Sequence, residues 1–219
     1  MWKKRKASSG SWRRALLLGA AVGVLAAAGS TAGLFETWSA RVTDRLFLPV
    51  QVRPEVRIVA IDDASLSSLG RWPWSREVHA TLVRRLSDAG ARVIAYDVNF
   101  PEASEASADG SLMEALRAAG NVVLPVELTF LSGSSRFDPE KTIAPISLLA
   151  GSAAATGFSN IPLDEDNVAR RTPLQALAPD GSTLRSFGFE AARLAGTAPD
   201  PAIVPSDRRG RMAVWFPGE

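Results

Sequence analysis

The stretch 92–126, RVIAYDVNFPEASEASADGSLMEALRAAGNVVLPV, decides the fold class. Arg92-Val-Ile-Ala-Tyr96 is apolar, β-branched and ends in Asp97, which predicts a strand. Ser104–Ser107 reads as loop. Asp109 offers an N-cap, and Leu112, Leu116 and Ala119 follow at helical spacing to Gly120, a stop signal. Val122-Val-Leu-Pro-Val126 is the next strand. Both strand runs are continuously apolar rather than alternating, as in a sheet covered on both faces. Strand–helix–strand with short connections implies a parallel pair joined by a right-handed crossover.

Upstream the pattern repeats. Val56-Arg-Ile-Val-Ala-Ile61 is compact and β-branched, ends in Asp62-Asp63, and reads as another buried strand. Ser75 is an N-cap and Glu77 lies in the first turn; Val78, Leu82, Leu86 and Ala89 mark a helix stopped by Gly90. Downstream, Thr129–Pro139 is loop or hairpin. Ala155–Ile161 and Val168–Ala178 read as antiparallel strands around the acidic turn Leu163–Asn167. Ser186–Ala195 reads as a helix stopped by Gly196, and Ala213–Phe216 as the start of a strand. The expected fold is an α/β, three-layer-like domain on a largely parallel sheet with an antiparallel portion. The chain ends inside this last element, which suggests a domain truncated at its C-terminus.

The N-terminus sets the compartment. Residues 1–14 carry Lys3, Lys4, Arg5, Lys6, Arg13 and Arg14 and no acid; Ala15–Phe35 then runs 21 residues without a charge. A helix of that length spans roughly 31 Å, close to the ~30 Å core of a bilayer. The basic flank stays in the cytoplasm, so everything after Glu36 is exported. Two readings remain open. A retained anchor fits the run's length, the bracketing Trp12 and Trp38, and two GxxxG pairs, Gly19/Gly23 and Gly29/Gly33, which favour a homodimer. A cleaved signal peptide would use Ala26-Ala27-Ala28 and release a secreted binding protein. The expected organisation is a cytoplasmic tail (1–14), a transmembrane helix in the inner membrane (15–35) and an extracytoplasmic domain (36–219). Glu36–Leu48 extends as a short helix or stalk, interrupted by Pro49 and Pro54.

Beyond residue 14 there are 19 basic and 23 acidic residues, a net charge of −4. The exported part therefore has no electrostatic case for nucleic acid. Zero Cys excludes disulfides and Cys-based metal or redox sites, and a single His leaves few ligands for a metal. There is no Walker A loop, GxGxxG, GxSxG or HExxH, so no cofactor and no nucleophile–base set is indicated.

Val59-Ala-Ile-Asp62, Ser65-Leu66, Leu69-Gly-Arg-Trp-Pro-Trp-Ser-Arg76 with His79-Ala80, and Ile94-Ala-Tyr-Asp-Val-Asn-Phe100 together resemble the type-two CHASE sensor domain. Asp109–Leu112, Val122–Pro125, Gly157–Asn160, Asp164–Arg171 and Trp215–Gly218 extend the resemblance, with Asn167 where Gly is common. It implies an extracytoplasmic sensor of a bacterial receptor, followed by a cytoplasmic cyclase or kinase output absent from this chain. It implies no particular ligand.

Five residues are candidates for ligand binding: Asp62, Arg71, Trp74, Arg76 and Asp97. Asp62 and Asp97 end predicted parallel strands, where open α/β sheets bind ligands. They hold a ligand or cation, cap turns, or pair with Arg71, Arg76 or Arg92; as a metal-hydrolase pair they would make the domain an enzyme. Trp72-Pro73-Trp74 lines a pocket or wedges a loop against the sheet. Arg71 and Arg76 clamp an anion or pair with acids. His79 senses pH or is simply packed. Arg170 and Arg171 are expected to pair with Asp164 and Asp166.

Overall fold

The computed structural model describes residues 11–31, 42, 44, 55–130, 139–164, 166–207 and 210–214. The chain forms two compact units. One comprises Met1–Gln51, Asp164–Val168 and Trp215–Glu219; the other comprises Val52–Leu163 and Ala169–Val214.

In the first unit, helix α1 spans Ser11–Thr31. Its window Trp12–Gly29 is long and apolar enough to cross a bilayer, with a mean hydropathy of 1.3. Its apolar side chains are exposed, Leu17 and Leu25 by 70% and 71%. Residues 32–35 of the expected span and most of the stalk lie outside the described residues. The acidic turn is present: Asn167 N–H donates to Asp164 O at 2.9 Å and Asp164 N–H to Val168 O at 3.0 Å. Asn167 has φ 60°, in the left-handed region that Gly enters freely and Asn tolerates.

The second unit begins with α2 (Asp63–Leu69), α3 (Arg76–Asp88) and β1 (Ile94–Ala95). Next come α4 (Ala106–Ala119), β2 (Val122–Phe130), β3 (Pro139–Ile143), α5 (Ser147–Ala150) and β4 (Ala155–Phe158). The remainder is β5 (Arg171–Pro173), β6 (Gln175–Leu177), β7 (Thr183–Arg185), α6 (Phe187–Leu194), a 3-10 turn (Pro201–Ile203) and β8 (Arg211–Ala213).

β2 is the axis of the sheet. β1 pairs with it in parallel, Ile94 opposite Val122 and Ala95 opposite Val123. β4 runs parallel on its other side, from Val123 opposite Ala155 to Val126 opposite Phe158. The far half of β2 pairs with antiparallel β3, Glu127 opposite Ile143. Asn160 extends the β4 side beyond the strand: its amide accepts from Leu128 N–H at 2.6 Å and donates to Leu128 O at 2.9 Å, as a strand backbone would. The sheet is therefore largely parallel with an antiparallel portion, as expected.

Val122 through Val126 are all buried, so both faces of β2 are covered, as its unbroken apolar run requires. Ala80 and Val83 of α3 and Leu112, Ala115 and Leu116 of α4 pack against Ile94, Tyr96, Phe100, Val122 and Leu124. Each fully buried Leu or Val contributes roughly 1.5–3 kcal/mol of transfer free energy. A second cluster joins Val126, Leu128, Phe158 and Ala176. Helix α6 packs on β4 and β2.

Several expectations are corrected. Val56–Ile61 belongs to no strand and is exposed, Ile58 by 90%. Apolar periodicity reports a wish for burial and does not supply a ladder partner. The strand Arg92–Tyr96 shrinks to Ile94–Ala95. Asp109 is not the N-cap of its helix: α4 starts at Ala106 with Glu105 in the cap position, and Asp109 lies inside the first turn. Ala155–Ile161 and Val168–Ala178 are not mutual partners. β4 joins β2 in parallel, while β5 pairs with β8 and β6 with β7. Ser75 does occupy the N-cap position of α3, though its hydroxyl donates to Glu77 Oε2 at 3.1 Å rather than capping. The last predicted helix is found with Ser186 as its cap. β8 covers the start of the last predicted strand, and Trp215 and Phe216 lie outside the described residues.

Candidate functional site

The site lies where the chain leaves β1, between the loop before α3 and the first turn of α4. Gly70, with φ 90°, ends α2 and turns the chain into Arg71-Trp72-Pro73-Trp74. Trp74 is buried, 8% exposed, and its indole N–H donates to Gly70 O at 2.9 Å. That bond closes the loop on itself and satisfies the one polar atom of the ring. Trp72 stands edge-on to both Trp74 and His79, with centroids 5.4 and 5.5 Å away, and is 43% exposed.

His79, one turn into α3, is 2% exposed at the centre of the cluster. Its ring lies edge-on to Phe100 at 5.2 Å and to Tyr96 at 5.9 Å. Nδ1 is 2.7 Å from the Tyr96 hydroxyl. Burial pushes the Tyr96 phenol well above its ordinary range, so it keeps its proton and shares a hydrogen bond with Nδ1. Burial, reinforced by the Arg76 charge, lowers the His79 pKa from its ordinary 6.5, against a hydrogen bond to the Trp74 backbone that raises it. The ring is neutral at pH 7.

Arg76 closes the other side. Its guanidinium lies 4.4 Å over the Phe100 ring, donates to Glu102 O at 3.1 Å and meets Asp109 Oδ1 at 3.3 Å. The other Asp109 oxygen accepts from Ser104 N–H at 2.8 Å. The two charged side chains are only 15% and 5% exposed, so removing either partner strands the other and costs about 3–5 kcal/mol.

Of the five residues expected to bind, three have structural work. Asp62 caps α2: Oδ1 accepts from Ser65 N–H at 2.8 Å and from the Ser65 hydroxyl at 2.6 Å, which hold its pKa below the usual carboxylate value. Trp74 is the buried wedge, and Arg76 is committed to Asp109. Arg71 and Asp97 are exposed, and the structure gives neither a partner among the described residues. The ring contacts Trp72–His79–Tyr96 connect their loops, since Asp97 directly follows Tyr96. Arg171 pairs with Asp207 at 3.4 Å. Tyr96, Phe100 and Asp109 are the residues that sequence reasoning missed as members of the cluster. Asp109 lies 33 positions from Arg76, beyond any local pattern. Among the described residues no group of three His, Cys, Asp or Glu side chains converges as a metal ion would need.

The neutral buried His79 gives a pH prediction. The unfolded chain takes up a proton near pH 6.5, and the folded domain only at lower pH. Stability from this site is therefore complete above pH 6.5 and falls as pH drops through the window below it. The slope cannot exceed about 1.4 kcal/mol per pH unit, the limit for one proton. Chemical denaturation from pH 7.5 to 5.0 should show this decline, and His79→Gln should flatten it. An equal slope in the variant would assign the decline to other groups.

A family model described as CHASE2 domain matches residues 17–218. No curated protein and no solved structure gives a match.

Proposed function

The chain belongs to the CHASE2 domain family, an extracytoplasmic sensory domain family of signalling receptors, and on that premise we propose that it is the input module of a bacterial membrane receptor. The single observation that carries this is the family match, which runs from within α1 to the end of β8 and beyond. Helix α1 anchors the chain in the inner membrane, the basic tail stays inside, and the α/β domain meets its signal outside. The signal is a small molecule or a protein, and the cytoplasmic output is a cyclase or kinase beyond this chain. The domain itself turns nothing over. It biases the receptor by binding one of two states more tightly, which is the only way a ligand shifts an equilibrium.

The exposed loop residues Arg71, Trp72 and Asp97 are the contact surface of this reading, on the buried cluster as a rigid floor. Asp97→Asn and Arg71→Ala should change the basal output or signal response of the full receptor without changing its melting temperature. Metal-dependent phosphoester hydrolysis by the purified protein, lost on Asp62→Asn, would replace the sensor with an enzyme.

The receptor acts as a homodimer, partly through the small-residue face of α1. Gly19 and Gly23 have open space where a Cβ would stand, so a second helix can approach there. Gly23→Ile should weaken self-association of the span in a membrane reporter assay, and unchanged association would remove α1 from the interface.

A further inference from the structure

Val56–Ile61 is apolar on both faces of an extended chain: Val56, Ile58 and Ala60 on one, Val59 and Ile61 with Arg57 on the other. Val56 is 69%, Ile58 90%, Val59 60% and Ile61 41% exposed, and the structure gives residues 56–61 no backbone hydrogen bond among the described residues. Such a run is built for a sheet interior, and contiguous exposed apolar surface of this kind marks a contact.

A matching edge exists in the same unit. β1 uses Ile94 N–H and Tyr96 N–H for its ladder, donating to Asn121 O and Val123 O at 3.0 Å each. Ala95, between them, directs its N–H and carbonyl to the opposite edge. Those two groups have no hydrogen bond among the described residues. The side chains of Ile94 and Tyr96 are already buried, so the edge is anchored and needs only a strand beside it.

We propose that Val56–Ile61 docks on the open edge of β1 as a parallel strand, a strap that extends the sheet. The connection from Asp62 to Val93 carries α2 and α3, a crossover long enough for parallel pairing. The segment is tethered to its own sheet, so its effective concentration there favours its own edge over that of a second copy. Docking sets Asp62 and Asp97 at the ends of neighbouring strands.

The chain has no Cys, which makes cross-linking clean. In the full chain in membranes, Ala95→Cys is combined in turn with Ile58→Cys, Val59→Cys, Ala60→Cys and Ile61→Cys. Neighbouring strands stand roughly 4.8 Å apart, within the Cα separation that a disulfide spans. Mild oxidation should give an intramolecular bond whose yield peaks at one position and falls on either side of it. As a second measurement, Ile58→Cys alone should react with maleimide roughly tenfold more slowly than Ser68→Cys on the exposed side of α2. No cross-link at any of the four positions, disulfide-linked dimers, or equal labelling rates would overturn the proposal. Receptor output that responds to Arg71 and Asp97 substitutions would leave the sensor reading standing in that event.

Discussion

Substituting valine for Gly157 should lower the melting temperature of the domain by roughly 10 °C. A Cβ at this position would stand 2.7 Å from Phe187 Cα, 2.8 Å from Phe187 N and 3.0 Å from Ser186 C. These are backbone atoms at the start of α6 and cannot swing aside. Ser186 is held there by its bridge to Phe158 and by its own side chain, which accepts from Phe189 N–H at 3.3 Å. β4 cannot retreat either, because Gly157 lies opposite Pro125 in the ladder to β2. Overpacking a site costs about 1–3 kcal/mol and more where backbone must move, and each kcal/mol is worth about 2–4 °C in a domain of this size. Gly188, inside α6, has no atom within 4 Å of its would-be Cβ. Gly188→Ala should therefore leave stability unchanged or raise it slightly. Equal melting temperatures for the two variants would contradict the close approach of β4 to α6.

The second large effect is expected at Trp74. Its removal empties the space between the loop, His79 and α3 and deletes the bond that closes the loop on Gly70. Trp74→Ala should cost about 3–5 kcal/mol, the range for truncating a buried large aromatic. Trp72→Ala should cost less, since nearly half of that ring is in water. Thermal melts of the two variants check the ranking. If Trp74→Ala melts like the parent while receptor output is lost, the Trp-Pro-Trp loop is a contact site rather than a wedge.

The elements that sequence made legible are those whose partners are nearby in the chain. Ser75 and Ser186 mark their helix starts, Gly120 and Gly196 take positive φ just past their helix ends, and the run at Val122–Val126 is the doubly covered centre of the sheet. What it could not specify was pairing. Val168–Ala178 is apolar enough for a strand, yet its partners are Thr183–Arg185 and Arg211–Ala213, chosen by register and turn geometry rather than by hydrophobic pattern. The candidate site divides on the same principle. The buried role of Trp74 and the packed His79 follow from residue type. Residue type marks Arg76 as a partner for an acid and Asp109 as a cap, but their ion pair joins two helices across 33 residues. Asp109 reads as a cap because Asp is a common cap, and only the fold gives its carboxylate a guanidinium to hold instead.

As the input module of a membrane receptor, an anchored chain should present this domain outside the cell membrane. Fusion of alkaline phosphatase after residue 60 measures it directly, because that enzyme is active only when exported. The fusion should be active and sediment with the membrane. Activity confined to the soluble fraction would mean that the N-terminal helix is removed, and an inactive fusion would place the domain in the cytoplasm, where it could not meet an external signal.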